Sequence, residues 1–104
     1  MASESLQEIW FRFKHQGDRK ARETLIANYS YLVKITAGRI AGGVPASLDR
    51  EDLVSAGVIG LIRAVDQFDS SREVKFETYA IALIRGAILE LLRGEDWAPR
   101  SVRD

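Results

Sequence analysis

The sequence predicts an all-α domain, a compact bundle of about four helices. Apolar residues recur at helical spacing through nearly the whole chain, and the breaks between these runs carry residues that start and stop helices. No stretch shows the two-residue alternation of a half-buried strand. With 104 residues, of which 46% are hydrophobic, the chain suits a single small domain with one core. It has no cysteine, so that core must hold without disulfides or thiolate metal sites.

In the first element Leu6, Ile9, Trp10 and Phe13 fall at i, i+3, i+4 and i+7, and Ser5 with Glu8 has the form of a capping box. Gly17 ends it, and Asp18 caps a second helix. There Leu25, Ile26, Tyr29, Leu32, Val33, Thr36 and Ile40 trace one stripe, which Ser30 can re-cap or bend midway. The segment AGGVPAS, residues 41–47, concentrates glycine and proline and reads as the main turn. Asp49 caps the third helix, with Glu51 and Asp52 in its first turn, where the positive end of the helix dipole favours them. This helix runs to about Val65 and contains Gly57 and Gly60, each costing about 1 kcal/mol relative to alanine. That cost predicts a close helix crossing at those positions. QFDSSRE is turn-like, and KFETYAIALIRGAILELLR then places Phe76, Tyr79, Ala80, Leu83, Ala87, Ile88, Leu91 and Leu92 on one broad face. Gly94 is its natural stop. The helical domain is read as 1–95, with 96–104 as a linker or the start of another element.

The 15 Lys+Arg balance 15 Asp+Glu, with 8 basic and 7 acidic groups in residues 1–52 and 7 and 8 in residues 53–104. Autonomous binding to duplex phosphates is therefore not expected, because it requires cationic side chains concentrated on one face. The opening MASESLQE has no basic region, and the longest apolar run is AGVIGLI, so neither a signal peptide nor a membrane span is expected and the reading is a cytoplasmic protein. No catalytic, metal or cofactor site is expected either. Asp66 with Asp69, or Glu95 with Asp96, sit in polar turns rather than in a pocket that would raise a carboxyl pKa. His15, the one histidine, reads as a solvated cation near a helix end, and Gly42-Gly43 precedes no phosphate-loop lysine.

The string DLVSAGVIGLIRAVDQFDSSREVKFETYAIALIRGAI, residues 52–88, resembles region 2 of bacterial sigma-70-type transcription initiation factors. YLVKITAGRI before the Gly/Pro turn, KFETYA with IRGAI after it, and the terminal DWAPRSVR are similar to the flagellar and sporulation branch of alternative factors. The resemblance spans roughly residues 7–103. It implies that the helix holding DLVSAGVIGL docks on the clamp helices of the core RNA polymerase β′ subunit, through Asp52, Ser55, Ala56, Val58 and Ile62 by position. For Val58 and Ile62 simple core packing is the competing reading.

The resemblance further implies that Phe68 to Arg85 opens promoter DNA at the −10 element by capturing an unstacked base of the non-template strand. The residue types suit that task, since stacking on an aromatic ring is worth about 1–3 kcal/mol per base against the cost of extrusion. Phe68, Phe76 and Tyr79 supply rings; Arg72, Lys75 and Arg85 supply donors. Rings at helical spacing are most often core, and that reading takes Phe76 first. Arg72 and Lys75 are DNA contacts or a solvated turn. Primary sigma factors carry two tryptophans where this chain has Ala82 and Leu83, and polar side chains where it has Gly86 and Leu89. A different −10 sequence and weaker melting follow from the resemblance.

The rival reading is a helical protein–protein interaction module without DNA function, which has no need of the aromatic and basic set between Phe68 and Arg85. Factors of this kind usually carry a further domain for the −35 element, so the chain is expected to be a fragment. They are commonly held by anti-sigma proteins, in some branches under control of a nucleotide second messenger.

Overall fold

The capping signals predicted from sequence act as expected in a computed structural model, which describes residues 5–44 and 49–94. Helix α1 spans Leu6–Gln16. The Ser5 hydroxyl oxygen accepts from the Glu8 N–H at 3.2 Å while the Glu8 carboxylate accepts from the Ser5 N–H at 2.9 Å, closing the capping box. Gly17 takes the left-handed conformation at φ 64°, which lets its own N–H reach the Phe13 carbonyl and the Asp18 N–H reach that of Arg12. Asp18 then caps α2, Arg19–Asn28, by accepting from the N–H groups of Lys20 and Ala21.

The long second helix of the sequence reading is interrupted at Tyr29 (φ −101°, ψ 6°), beyond which α3 spans Ser30–Ala41. Ser30 does not re-cap: its hydroxyl donates back to the Ala27 carbonyl at 2.9 Å, and the backbone turns at the preceding residue. The Tyr29 ring there lies 4.5 Å from Phe76, centroid to centroid, and points into the core. Helix α4, Arg50–Gln67, starts where Asp49 accepts from the Glu51 N–H and ends where Phe68 becomes extended. Helix α5 spans Phe76–Gly94. Counting α2 and α3 as one bent helix gives the expected four among the described residues. Residues 45–47 of the predicted Gly/Pro turn, and the predicted linker 96–104, lie outside the described residues.

Helices α1 to α5 all contribute to one core, from Ile9 of α1 to Leu92 of α5, and the most extensive pairing among the described residues is between α4 and α5. The glycines of α4 account for it. A Cβ on Gly60 would lie 2.5 Å from the Leu83 carbonyl oxygen and 2.7 Å from the Ile84 Cα, so the two backbones cross with no side chain between them. A Cβ on Gly57 would meet Val33, Ile84 and Ile88, which join α3 to the same crossing. Among the described residues no helix is long and apolar enough to cross a membrane.

Gly60→Ala places a methyl against backbone that cannot rotate away, and overpacking costs about 1–3 kcal/mol, more than the gain of about 1 kcal/mol in helix propensity. Gly86 has nothing within 4 Å of an added Cβ. Gly86→Ala should therefore stabilise by about 0.4–1 kcal/mol while Gly60→Ala destabilises. Urea unfolding of the two variants beside the parent chain checks the opposite signs.

Candidate nucleic-acid interface

Where α4 ends and α5 begins, five rings meet. Phe76 is 5% exposed, with its centroid 5.1 Å from Trp10, 4.5 Å from Tyr29 and 5.2 Å from Phe68. Phe68 is half-buried, 5.4 Å from Trp10 on one side and 5.8 Å from Tyr79 on the other. These tilted and edge-on arrangements are the favoured ones for aromatic pairs. Of the two readings of Phe76, core support and ring for a base, the first fits: its faces are consumed by neighbouring rings, and it props up Phe68 from within the core.

Phe68 and Tyr79 form walls of an open pocket of about 380 Å³, completed by Gln67, Asp69, Arg72 and Val74. The turn that delivers Arg72 is built locally. Asp69 accepts from the Ser71 N–H at 2.9 Å and from the Ser71 hydroxyl at 2.6 Å, and its carbonyl accepts from the Arg72 N–H. Those Ser71 hydrogen bonds hold the Asp69 carboxyl below its ordinary range. The pocket thus offers ring faces, an exposed guanidinium, the Asp69 carboxylate and the Gln67 amide, a set suited to stacking and edge hydrogen bonding of a planar heterocycle.

Of the other residues singled out from sequence, Lys75 is exposed just before α5, outside the pocket lining. Arg85 and Gly86 are exposed further along α5, while Leu83 and Leu89 are half-buried and pack against the core. The Leu83 carbonyl lies on the Gly60 crossing. Gln67 and Val74 were not singled out. Val74 is 47% exposed, and an apolar residue among the polar residues of a turn is the signal that points to it.

On α4, Leu53, Gly57, Gly60, Leu61, Ala64 and Val65 face inward. Asp52 and Ser55 are exposed, and Ala56, Val58 and Ile62 are half-buried, so the last two are neither core nor free surface. Ile59, passed over in the sequence reading, is 54% exposed and provides the apolar centre of this face. Placing it requires only subtracting the inward stripe from the helical wheel.

The end of α4 is anchored electrostatically. Arg22 of α2 donates to both Asp66 carboxylate oxygens, Nε at 2.7 Å and Nη2 at 2.9 Å, and Lys14 of α1 donates to the Asp66 carbonyl at 2.7 Å. The Arg22 fork holds the Asp66 carboxyl below its ordinary value. Partial burial draws the Lys14 ammonium down, against the pull of Asp66 and Asp69. Among the described residues no group of three or more His, Cys, Asp or Glu side chains could hold a metal ion.

Residues 25–98, more than half of the chain and including all of α4, the pocket and α5, match the family described as Sigma-70 region 2. The chain belongs to that family. This sigma region 2 domain is 47% identical over 98 residues to the RNA polymerase sigma-D factor of Bacillus subtilis, covering 94% of this chain and 39% of that protein. It is 48% identical over 84 residues to the RNA polymerase sigma factor FliA of Pseudomonas aeruginosa, covering 81% and 34%. A solved structure described as the flagellar sigma/anti-sigma complex sigma-28/FlgM superposes with a TM-score of 0.72 at 40% identity, over 86% of this chain and 40% of that one. The domain therefore spans about two fifths of the length of these relatives or less.

The Asp66 anchor carries a pH signature. Because the folded pKa of Asp66 is depressed, its contribution is present above the unfolded value near 4 and is lost as pH falls through the folded value. Both partners are about a third or more exposed, so the pair is worth at most about 1 kcal/mol. Asp66→Asn should lose that amount at pH 7, and the gap to the parent chain should close on acidification below pH ~4. Chemical unfolding at the two pH values measures it.

Proposed function

We propose that this domain is the core-polymerase-binding and −10-recognition part of an alternative sigma factor of the flagellar and sporulation branch. The observation that carries the reading is the convergence of Phe68, Arg72 and Tyr79, named from sequence, on one open pocket. In this reading an unstacked base of the non-template strand enters between the Phe68 and Tyr79 rings, while Arg72 meets a phosphate or base edge. Stacking offsets the few kcal/mol needed to unpair and extrude the base. Arg85 and Lys75 lie along the exposed path of the same strand. The domain performs no chemistry of its own, and RNA synthesis belongs to the polymerase that it directs.

The exposed face of α4, with Asp52, Ser55 and Ile59 at its surface and Ala56, Val58 and Ile62 at its base, is the proposed seat for the β′ clamp helices. Polymerase supplies the affinity that a chain of balanced charge lacks, and the pocket supplies discrimination. An anti-sigma protein is the second proposed partner, in line with the sigma/anti-sigma complex that the fold resembles. A cover over the polymerase face would block activity without touching the pocket.

Two measurements test these roles. Tyr79→Ala should weaken binding of the chain–core polymerase complex to fork-junction DNA, selected by the parent complex from a pool with a randomised single-stranded −10 segment, by about 1–3 kcal/mol. Tyr79→Phe should cost far less, because stacking uses the ring and not the hydroxyl. If Tyr79 served only the core, the alanine variant would instead lose thermal stability and polymerase affinity together. For docking, Ser55→Arg or Ile59→Arg should cost at least about 1 kcal/mol, roughly fivefold in Kd for core polymerase, with helicity by circular dichroism unchanged.

A further inference from the structure

The crossing of helices accounts for Gly57 and Gly60, but not for Gly38 in the interior of α3. A Cβ on Gly38 would lie 2.8 Å from Nη2 of Arg50 and 3.8 Å from its Cζ, and among the described residues no backbone of another helix comes close. The guanidinium of the first residue of α4 thus occupies the place where a side chain of α3 would begin.

Each member of this pair opposes helix stability on its own. Glycine is among the least favourable residues in a helix interior. Arg50 opens α4, where the positive end of the helix dipole favours acids such as its neighbours Glu51 and Asp52 and disfavours a cation. The Arg50 side chain is exposed, and among the described residues it forms no ion pair. Two residues that break local rules meet at one point, which is the pattern expected where a site selects residues that the fold does not need.

The seat lies beside the face of α4 proposed above to dock on polymerase. Gly38 meets the start of α4 while Val33 meets Gly57, so the two helices run antiparallel. That register sets Ile35 level with Ser55, and Tyr31 level with Ile59. Tyr31 and Ile35 are 48% and 46% exposed, one turn apart, and Gly38 follows on the same side of α3 in the next turn. No Asp or Glu occurs from Thr24 to Leu48, so the charges of α3 are Lys34 and Arg39 alone. An apolar strip with a cationic edge is the complement of a partner that carries carboxylates at the rim of its contact.

We infer that Gly38 is a positioning residue, which seats the Arg50 guanidinium at the edge of this strip, and that Arg50 pairs there with a carboxylate of the polymerase clamp helices. A guanidinium already held in place loses less conformational freedom on binding than one that moves in solvent. The inference rests on docking through α4 and carries the contact onto α3 through a residue pair that no helix needs.

Equilibrium binding of the full chain to core polymerase, beside thermal melting of each variant, tests it. Gly38→Ala should raise the melting temperature by about 2–8 °C through its gain in helix propensity. The same variant should bind polymerase about fivefold more weakly, because the methyl displaces the guanidinium. Arg50→Ala should weaken binding by about five- to thirtyfold without lowering the melting temperature, and should flatten the dependence of Kd on salt. Adding Gly38→Ala to Arg50→Ala should bring no further loss, since the glycine acts through the arginine. A further loss in the double variant would overturn the seat, because the methyl would then be meeting polymerase itself. Parent-like binding by Gly38→Ala beside weakened binding by Arg50→Ala would also remove the positioning role. Ile59→Arg separates the inference from the docking reading on which it rests. Weakened binding by Ile59→Arg with parent-like binding by Arg50→Ala would reject the Arg50 pairing and leave α4 docking standing, whereas parent-like binding by both would remove both.

Discussion

Gly60 lies against the backbone of α5, where even one added carbon would come within 2.5 Å of the Leu83 carbonyl, and the position of everything functional follows from that approach. Two helices that touch backbone to backbone have a fixed separation, and interiors packed to this density transmit such constraints with little give. With α4 and α5 locked at their crossing, Phe68 at the end of one and Phe76 and Tyr79 at the start of the other come together over a loop of a few residues. The loop needs only an Asp69–Ser71 turn to close. The pocket is thus a consequence of the crossing, and its walls inherit the rigidity of two long helices.

The aromatic cluster divides labour by depth. Tyr29, Phe76 and the core side of Trp10 hold the cluster in place, and burial pushes the pKa of the Tyr29 hydroxyl up. Phe68 and Tyr79 sit above them with part of their surface open. The support matters for the proposed base capture, since a mobile ring would lose conformational entropy on binding. The Arg22–Asp66–Lys14 anchor serves the same end by tying α1 and α2 to the last turn of α4, two residues before Phe68. Charge here acts locally, as fixation.

Much of the helical plan was legible in the residues. The capping box at Ser5 and Glu8, the left-handed Gly17, and the Asp18 and Asp49 caps are local devices, whose partners lie within a few positions along the chain. The close crossing at Gly57 and Gly60 was also readable, because glycine inside a helix is costly without a packing reason. The break at Tyr29 was placed one residue late; there the ring packs on Phe76, 47 positions away, a contact that no local pattern shows. Phe68, Arg72 and Tyr79 could be named as a set from family resemblance, whereas their meeting around one cavity depends on the loop conformation.

By itself the sequence determined the helical plan, most of the helix ends, the balanced charge and the family, because each of these is written in short-range patterns or contiguous motifs. Tertiary structure decided which rings are support and which are surface. Phe76 and Tyr79 lie three residues apart on one helix and look alike in sequence, yet one is sealed by Trp10, Tyr29 and Phe68 and the other borders the pocket. It also decided that α1 reaches the same site, since Lys14 meets Asp66 across 52 positions and Trp10 meets Phe68. Burial and long-range contact depend on how helices cross, and no local pattern encodes a partner that the chain reaches only after folding.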